Sequence, residues 1–440
     1  MKTTANSHAR RRLYAARLAG WLGAAMLVCA GPAAAQLRLP SVGLPGGGRL
    51  QQPAAIQETL RQVVPLQELR LNTQRDLLRR YPDRIEADPA GHAVRRGELI
   101  WLAPSQPALR AALAQGFTLL REHVLSELDL RQVVLRAPEG DVLAVAAQRL
   151  RAIEPDAVVD FNHLYLRGGE TGRGQAAQSA PARALKRRVG LIDGGIDRRH
   201  PALAQARIHS LGCDGRELPS PHGTAVASLL VGQDGAFAGV APAAELFAAD
   251  VYCDQPDGGA AEDVARALAW MARERVPVIN ISLVGPPNAL LDKATQALIR
   301  RGHLVVAAVG NDGPGAQPLY PASYAGVVGV SGVTPKRRAL PEAAQGRQVI
   351  LSAPGAEVAV ARVGGGYAVA RGTSFAAPIV AGLLAETLHE PDTQSAPAAL
   401  LRLERSATDL GDAGRDDVFG HGLVGESART LPERVSARRR

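Results

Sequence analysis

The second half of this chain alternates between short apolar segments and longer amphipathic ones, and this alternation limits its fold more than any other feature. From Val189 onward, runs typical of buried strands are separated by stretches with helical periodicity, such as Ala261–Arg275. The run Leu304–Val309 has no polar position, which favours a parallel sheet covered on both faces. The predicted strands are Val189–Asp193, Arg207–Leu211, Glu245–Tyr252, Pro277–Ser282, His303–Val309 and Gly326–Val330. We therefore predict a doubly wound α/β domain over residues 189–430.

A smaller pattern of strands and helices precedes this domain, in residues 97–166. Its strands are predicted at Glu98–Leu102, Phe117–Arg121, Leu130–Leu135 and Ala157–Phe161, and its helices at Pro107–Gln115 and Asp141–Ile153. The order β-α-β-β-α-β predicts a small α+β domain of the ferredoxin-like type. We expect residues 36–96 to be poorly structured and partly helical, residues 167–188 to be a flexible linker, and residues 431–440 to be a basic tail.

The first 35 residues have the composition of a signal peptide. Arginines precede an apolar run from Leu18 to Ala30, and Ala33-Ala34-Ala35 supplies small residues for cleavage before Gln36. A membrane anchor is the alternative, but the run is short for a bilayer span. We therefore predict an exported protein, periplasmic or secreted, whose mature form has no membrane span.

The net charge of +9 does not indicate a nucleic-acid-binding protein. Residues 1–189 carry a net charge of +11, whereas residues 190–440 carry −2. A nucleic-acid-binding domain concentrates its basic residues on the folded module itself. The nearly neutral second half excludes that function class.

Three stretches of the second half carry residues suited to nucleophilic chemistry. Asp193 ends an apolar strand and His222 opens a small-residue helix. Ser374, in the stretch Gly372–Pro378, lies between a glycine turn and an apolar helix predicted at Ala376–Leu384. Taken singly, they are also compatible with a turn, a core histidine and a helix cap. Together they follow one of the known chain orders of the acyl-transfer triad. In a doubly wound sheet these positions, and Asn311 after another strand, fall on the same edge.

With these motifs the chain resembles the subtilisin-like serine proteases over roughly residues 188–425. The resemblance implies that Ser374 is the nucleophile and that His222 acts first as general base and then as general acid. It implies that Asp193 orients and stabilises the imidazole, and that Asn311 donates to the oxyanion. No cofactor is expected.

The expected specificity pocket departs from the family pattern. Ser282-Leu283-Val284-Gly285 stands where the family commonly has Ser-Leu-Gly-Gly, and this segment is expected to bind substrate. Val309 and Leu319 add bulk in the same region. We predict a shallow, apolar pocket that prefers small or medium uncharged side chains at P1, the position just before the cleaved bond.

The cysteines that remain after the leader are Cys213 and Cys253. If the sheet is like that of the family, both follow neighbouring parallel strands, so a disulfide is expected; two free buried thiols are the alternative. Carboxylates cluster at Asp254/Asp257 and at Asp412/Asp416/Asp417, yet such clusters are usually only solvated. We predict no required metal.

In this family the small N-terminal domain is an intramolecular inhibitor, which implies that residues 162–165 occupy the cleft before maturation. An accessory domain without inhibitory function is the alternative. Lys186-Arg187-Arg188 is a candidate processing site. The resulting hypothesis is a monomeric, self-maturing serine endopeptidase that acts on polypeptides. The competing hypotheses are a catalytically silent binding module and a processing protease with narrow specificity.

Overall fold

The computed structural model of the chain describes residues 70–167, 169–171 and 187–436. Residues 1–69 lie outside these ranges, and the predicted leader is among them. Most of the predicted linker and the last four residues of the tail also lie outside. Below, residues 70–163 are called the N-terminal part and residues 187–436 the C-terminal part. The described residues 164–167 and 169–171 are called the connecting segment.

The N-terminal part contains an antiparallel sheet with the strand order of a ferredoxin-like domain. Strand β2 pairs with β4 and β5, and β4 pairs with β3, which gives the order β5-β2-β4-β3. Its elements are α1 (residues 70–80), β1 (Ile85–Ala87), β2 (Ala93–Leu102), α2 (Gln106–Ala114), β3 (Thr118–Leu125), β4 (Leu130–Arg136), α3 (Leu143–Ile153) and β5 (Val158–His163).

The α2 boundaries follow from local sequence. Ser105 caps the helix by accepting a hydrogen bond from the Ala108 backbone N–H. Gly116, at φ +92°, ends it in the left-handed region that glycine adopts most easily. The hairpin of β1 and β2 was not predicted. Asp88 holds its turn by accepting from the N–H groups of Ala90 and His92.

The C-terminal part is built on a seven-stranded sheet whose paired strands are all parallel. The spatial order is β17-β16-β15-β13-β8-β12-β9. These strands are β8 (Arg188–Asp193), β9 (Ile208–Leu211), β12 (Glu245–Asp250), β13 (Val278–Ile281), β15 (Leu304–Ala308), β16 (Val328–Val333) and β17 (Val349–Pro354). Short strands β6 (Leu166–Arg167), β7 (Glu170–Thr171), β10 (Gln233–Asp234), β11 (Phe237–Ala238), β14 (Leu283–Val284), β18 (Ala356–Ala361) and β19 (Tyr367–Arg371) complete the set.

Helices cover both faces of the large sheet. Leu191 belongs to the apolar cluster that holds α4 (Pro221–Val231) and α7 (Thr373–Ala385), whereas Ile192 belongs to the cluster that holds α5 (Ala261–Arg273) and α6 (Ala289–Arg300). Successive strand residues therefore serve opposite layers. Two more helices, α8 (Ser395–Arg405) and α9 (Pro432–Ser436), follow α7. The predicted fold class, a doubly wound parallel sheet preceded by a ferredoxin-like domain, is confirmed.

The N-terminal sheet packs against the helices of the C-terminal part. Ile100 and Leu102 of β2 belong to the same apolar cluster as α5 and α6, while the other face of this sheet packs on α2 and α3. Side chains of β5 also reach the helix starts: Asn162 accepts from the Glu262 N–H and Asp160 from the Ala289 N–H. Within the described ranges, no helix is long and apolar enough to cross a membrane.

Candidate active site

Asp193, His222 and Ser374 form one chain of hydrogen bonds. The Nδ1 atom of His222 lies 2.8 Å from Oδ2 and 3.0 Å from Oδ1 of Asp193. Its Nε2 atom lies 3.0 Å from the Ser374 Oγ. All three residues are buried, and Asp193 also accepts from the Gly194 N–H. Because a carboxylate only accepts, Nδ1 carries the proton, and the Nε2 lone pair faces the serine hydroxyl.

Three element boundaries bring these side chains together. Asp193 is the last residue of β8, at the carboxyl edge of the sheet. Ser220 caps α4 through the Gly223 N–H, and Pro221 starts the helix, so His222 lies in the first turn. Ser374 lies in the first turn of α7, which begins after Gly372 at φ +133°. The helix starts at Thr373 rather than near Ala376, so the serine belongs to the helix itself.

Asn311 lies directly beside the start of α7. Its Oδ1 atom accepts from the Thr373 N–H at 3.0 Å, and Thr373 Oγ1 accepts from the Gly310 N–H. Since the amide oxygen is used in this way, the amide NH₂ is the end of Asn311 that can donate elsewhere. Sequence analysis did not identify this positioning function of Thr373.

The Ser282 side chain lies beneath the residue that carries the nucleophile. Its hydroxyl donates to the Ser374 backbone carbonyl at 3.1 Å and accepts from Asn280 Nδ2 at 2.8 Å. The side chain is completely buried. Ser282 thus has a structural function below the helix that carries Ser374, and its predicted contact with substrate stays a prediction.

The remaining predicted pocket residues divide into two groups. Leu283, Val284 and Gly285 border the cleft, and Leu319 packs against Gly310, next to Asn311. Val309 is different, because it is completely buried in the cluster of α5 and α6 and packs against Gly329. The same cluster contains Leu283, which borders the cleft, so burial does not decide whether Val309 narrows the pocket, and this stays a prediction.

The connecting segment runs through the cleft in extended form. In an antiparallel pairing, Leu166 lies opposite Val284 and Arg167 opposite Leu283. On the other side of the nucleophile, β7 pairs with β19. Between these strands, Gly169 lies so close to Ser374 that a Cβ atom there would collide with the serine Oγ. Gly169, the residue at the nucleophile, is thus four positions beyond the segment 162–165 that was predicted to occupy the cleft.

Tyr165 fills a buried pocket at the far end of the cleft. Its ring lies against Gly285, its hydroxyl donates to the Pro286 carbonyl at 2.6 Å, and its N–H donates to the Gly259 carbonyl. Tyr252 closes the pocket by donating from its hydroxyl to the Tyr165 carbonyl at 3.0 Å. Burial raises the pKa of Tyr165 well above its ordinary value, so the phenol stays protonated.

The disulfide between Cys213 and Cys253 is present, with a Cα–Cα distance of 5.1 Å. The cysteines follow β9 and β12, which are parallel neighbours as expected. Asp250 lies near both sulfur atoms, but disulfide sulfurs have no thiolate to offer a metal ion. Of the predicted acidic clusters, Asp257 pairs with Arg84, and Asp416 accepts from the backbone of Val418 and Phe419.

A second group of possible metal ligands consists of Asp88, His92 and His163. The Nδ1 atom of His163 accepts from Asn288 Nδ2 at 3.0 Å, so its Nε2 atom carries the proton and donates to Asp88. The Asn288 orientation is fixed, because its oxygen accepts from the Leu291 N–H at the start of α6. This hydrogen bonding leaves His163 without a lone pair for a metal ion.

The triad at the carboxyl edge of a doubly wound sheet defines the class of subtilisin-like serine hydrolases. A model of the Subtilase family, peptidase S8, matches residues 186–422. The chain belongs to this family of serine proteases.

Two proteases from bacteria are similar to about half of this chain. The minor extracellular protease Epr of Bacillus subtilis (strain 168) is 31% identical over 219 residues, which cover 49% of this chain and 34% of Epr. Subtilisin Savinase of Lederbergia lenta is 34% identical over 212 residues, covering 48% of this chain and 77% of Savinase. The chain thus spans only about a third of the length of Epr.

The solved structure of fervidolysin from Fervidobacterium pennivorans shares the fold. Its TM-score is 0.62 at 18% sequence identity, and the match covers 78% of this chain and 62% of that one. The match covers more of this chain than residues 186–422, the region of the Subtilase model, and therefore extends beyond that region.

Proposed function

We propose that this protein is an exported serine endopeptidase that hydrolyses peptide bonds through an acyl-enzyme on Ser374. The observation that carries the proposal is the continuous hydrogen-bond chain from Asp193 through His222 to the Ser374 Oγ. A serine hydroxyl is too weakly acidic to attack an amide at neutral pH without a base beside it.

In this mechanism His222 Nε2 takes the serine proton while the Oγ–C bond forms at the substrate carbonyl. The same nitrogen then gives the proton to the leaving amine as the C–N bond breaks. Water, deprotonated by His222, hydrolyses the acyl-enzyme and restores the serine. Asp193 holds the imidazole by its Nδ1–H and stabilises the imidazolium that forms in each half of the reaction.

The negative charge on the tetrahedral intermediate needs donors. Asn311 and the Ser374 backbone N–H supply them in this proposal. The Thr373 N–H holds the amide oxygen of Asn311, which orients the NH₂ group, and Ser374 lies in the first turn of α7, where the helix dipole favours negative charge.

The N-terminal part acts as an inhibitory pro-domain of a precursor. Three contacts support this function: β6 pairs with the cleft strand β14, Tyr165 fills a buried pocket, and β5 contributes caps to α5 and α6. A chain in this position blocks access of other polypeptides to Ser374, so the precursor must cut it before it can act.

The pocket for the P1 residue takes small or medium uncharged side chains. Leu319 supplies apolar bulk next to Asn311, and Val284 supplies it where β14 borders the cleft. The segment Ser282-Leu283-Val284-Gly285 contains no carboxylate for a basic side chain. The substrates are polypeptides, and the enzyme works as a monomer. Export to the periplasm or the medium is supported by the leader sequence and by the similarity to Epr, a minor extracellular protease.

One comparison tests the catalytic proposal. The wild type and Ser374→Ala are expressed as full chains, their intact masses are measured, and both are treated with a serine-directed fluorophosphonate. We expect a shortened, labelled wild type and an unprocessed, unlabelled variant. A folded, processed wild type that does not label would instead identify a catalytically silent binding module.

A further inference from the structure

The connecting segment lies in the cleft as a substrate would, and this sets a residue count relative to Ser374. Gly169 lies against the serine Oγ and the Phe375 ring. Strand β6 ends before Gly169 and β7 begins after it, so the chain is held on both sides of the nucleophile. Counting back from the bond on the amino side of Gly169, Arg167 is the second residue and Tyr165 the fourth.

The guanidinium of Arg167 lies on an aromatic face. Its Cζ atom is 4.1 Å from the centroid of the Tyr252 ring, close enough for a cation–π contact. Gly194, directly after Asp193, leaves room for it, because a Cβ atom there would come within 2.9 Å of Arg167 Nη2. The planar guanidinium suits stacking on a ring better than an ammonium group does.

A carboxylate completes these surroundings. Asp250 ends β12 and lies opposite Asp193 of β8 in the parallel register. Its Oδ1 atom accepts from the N–H groups of Tyr252 and Cys253, which fixes the carboxylate in the loop that carries the ring. Burial raises the pKa of Asp250, while the nearby charge of Arg167 lowers it. The Cys213–Cys253 disulfide fastens the same loop.

Arg187 and Arg188, the described residues of the candidate processing site, are bound at the start of β8. The Arg187 carbonyl accepts from the Glu245 N–H, and Arg188 opens β8, paired with Glu245 of β12. Strand β8 lies between β13 and β12 in the seven-stranded sheet. Cleavage after Arg188 requires the start of this strand to leave the sheet and reach Ser374. Gly169, in contrast, already lies against the Ser374 Oγ.

We propose that Tyr252, Asp250 and Gly194 form a subsite for arginine two residues before the cleaved bond, and that the precursor cuts itself on the amino side of Gly169. This proposal rests on the proposed endopeptidase function. The subsite narrows the substrate class to extended polypeptides with arginine as the second residue before the cleaved bond and tyrosine as the fourth. Cleavage adds water across the bond, leaving a new carboxylate and the amino group of Gly169.

The first test is the amino terminus of the processed full-length chain. Intact mass and amino-terminal sequencing should give a product that begins at Gly169, and Arg167→Ala should be processed more slowly. A product that begins at Val189 as the first cut overturns the proposed cleavage position.

The second test uses peptides with the sequence of residues 165–171, Tyr-Leu-Arg-Gly-Gly-Glu-Thr, flanked by a fluorophore and a quencher. Versions with alanine, lysine or glutamate replace the arginine. Enzyme concentration is set by fluorophosphonate titration. Since Arg167 is solvent-exposed, we expect kcat/KM for the arginine peptide to exceed that for alanine by about fivefold.

Two matched variants assign the preference to its residues. Tyr252→Leu should abolish the advantage of arginine, whereas Tyr252→Phe should retain it because the ring remains. Asp250→Asn keeps an oxygen that accepts from the Tyr252 and Cys253 N–H groups but loses the negative charge, so it should reduce the advantage of arginine. Equal cleavage of all four peptides by the titrated wild type overturns the subsite while leaving the endopeptidase function intact. Absence of labelling would overturn the endopeptidase function instead.

Discussion

At the residue scale, the triad was predictable because each member lies at an element boundary that its own sequence marks. Asp193 ends an apolar run, His222 follows a Ser-Pro helix start, and Ser374 follows a glycine turn. The orientations of Val309 and Ser282 were not predictable in this way. Both depend on which neighbour lies across the sheet or beneath the helix, Gly329 in one case and the Ser374 carbonyl in the other.

The oxyanion function assigned to Asn311 can be separated from its structural function. Asn311→Ala should lower kcat by about 10²–10³-fold with little change in KM, because the lost donor acts on the transition state. The measurement is steady-state hydrolysis of the quenched arginine peptide.

Asn311→Asp is the matched control for this experiment. It keeps an oxygen that accepts from the Thr373 N–H, as Oδ1 does now, but it has no NH₂ to donate. Loss of activity in both variants assigns the effect to the donor. Recovery of activity in the aspartate variant would show that Asn311 acts only by holding α7.

At the element scale, the long apolar strands and the amphipathic helices were predicted within a few residues. Those that were missed are the strands whose identity depends on pairing. The three-residue β1 exists because β2 extends alongside it, and β17 contains a serine and ends in a proline, which weakens its strand pattern. The pairing of β6 with β14 joins segments more than 100 residues apart, and no local pattern marks such a contact.

The disulfide joins the loops that follow the edge strand β9 and its neighbour β12. It closes a separation of 40 residues, and in the chain-entropy model such a closure stabilises the fold by about 4 kcal/mol. Replacing both cysteines by serine should lower the free energy of unfolding by that amount, measured by denaturant titration of the processed protein. As a control, a reducing agent should destabilise the wild type and leave the double variant unchanged.

At the scale of the whole molecule, one buried carboxylate joins the N-terminal part to the C-terminal part. Glu262, at the start of α5, is 1% exposed and accepts hydrogen bonds from Arg121 and His123 of β3. Burial raises its pKa, but hydrogen bonds from His123 and Arg121 outweigh the burial and hold the pKa at about 2. The charged form is therefore favoured only while these partners are bound.

This linkage predicts that acid releases the N-terminal part after cleavage. The bound pKa lies below the ordinary value of 4.5, so the stabilisation is complete above pH 4.5 and decreases as the pH falls toward 2. From Glu262 alone, the dissociation constant should rise about 30-fold between pH 6 and pH 3. Gel filtration of the processed wild type at both pH values measures how much fragment is retained.

Glu262→Gln provides the comparison. It cannot ionise, so the fragment should bind it more weakly at pH 6, with a much smaller change on acidification. An equal pH response in the wild type and the variant would assign the effect to other groups. Circular dichroism at pH 3 checks that the C-terminal part is still folded.

The helix that begins with Ser374 also determines how the molecule loses its chemistry. Twelve of the thirteen residues of α7 are buried, and they pack on β13, β15, β16 and β17. Amide protons in such a helix exchange with solvent only when the whole C-terminal core opens. We therefore expect the helix that carries the nucleophile to unfold only together with the core. The midpoint of thermal inactivation of the processed enzyme should then coincide with the midpoint of its global unfolding. In this architecture, loss of activity on heating reports the cooperativity of the core.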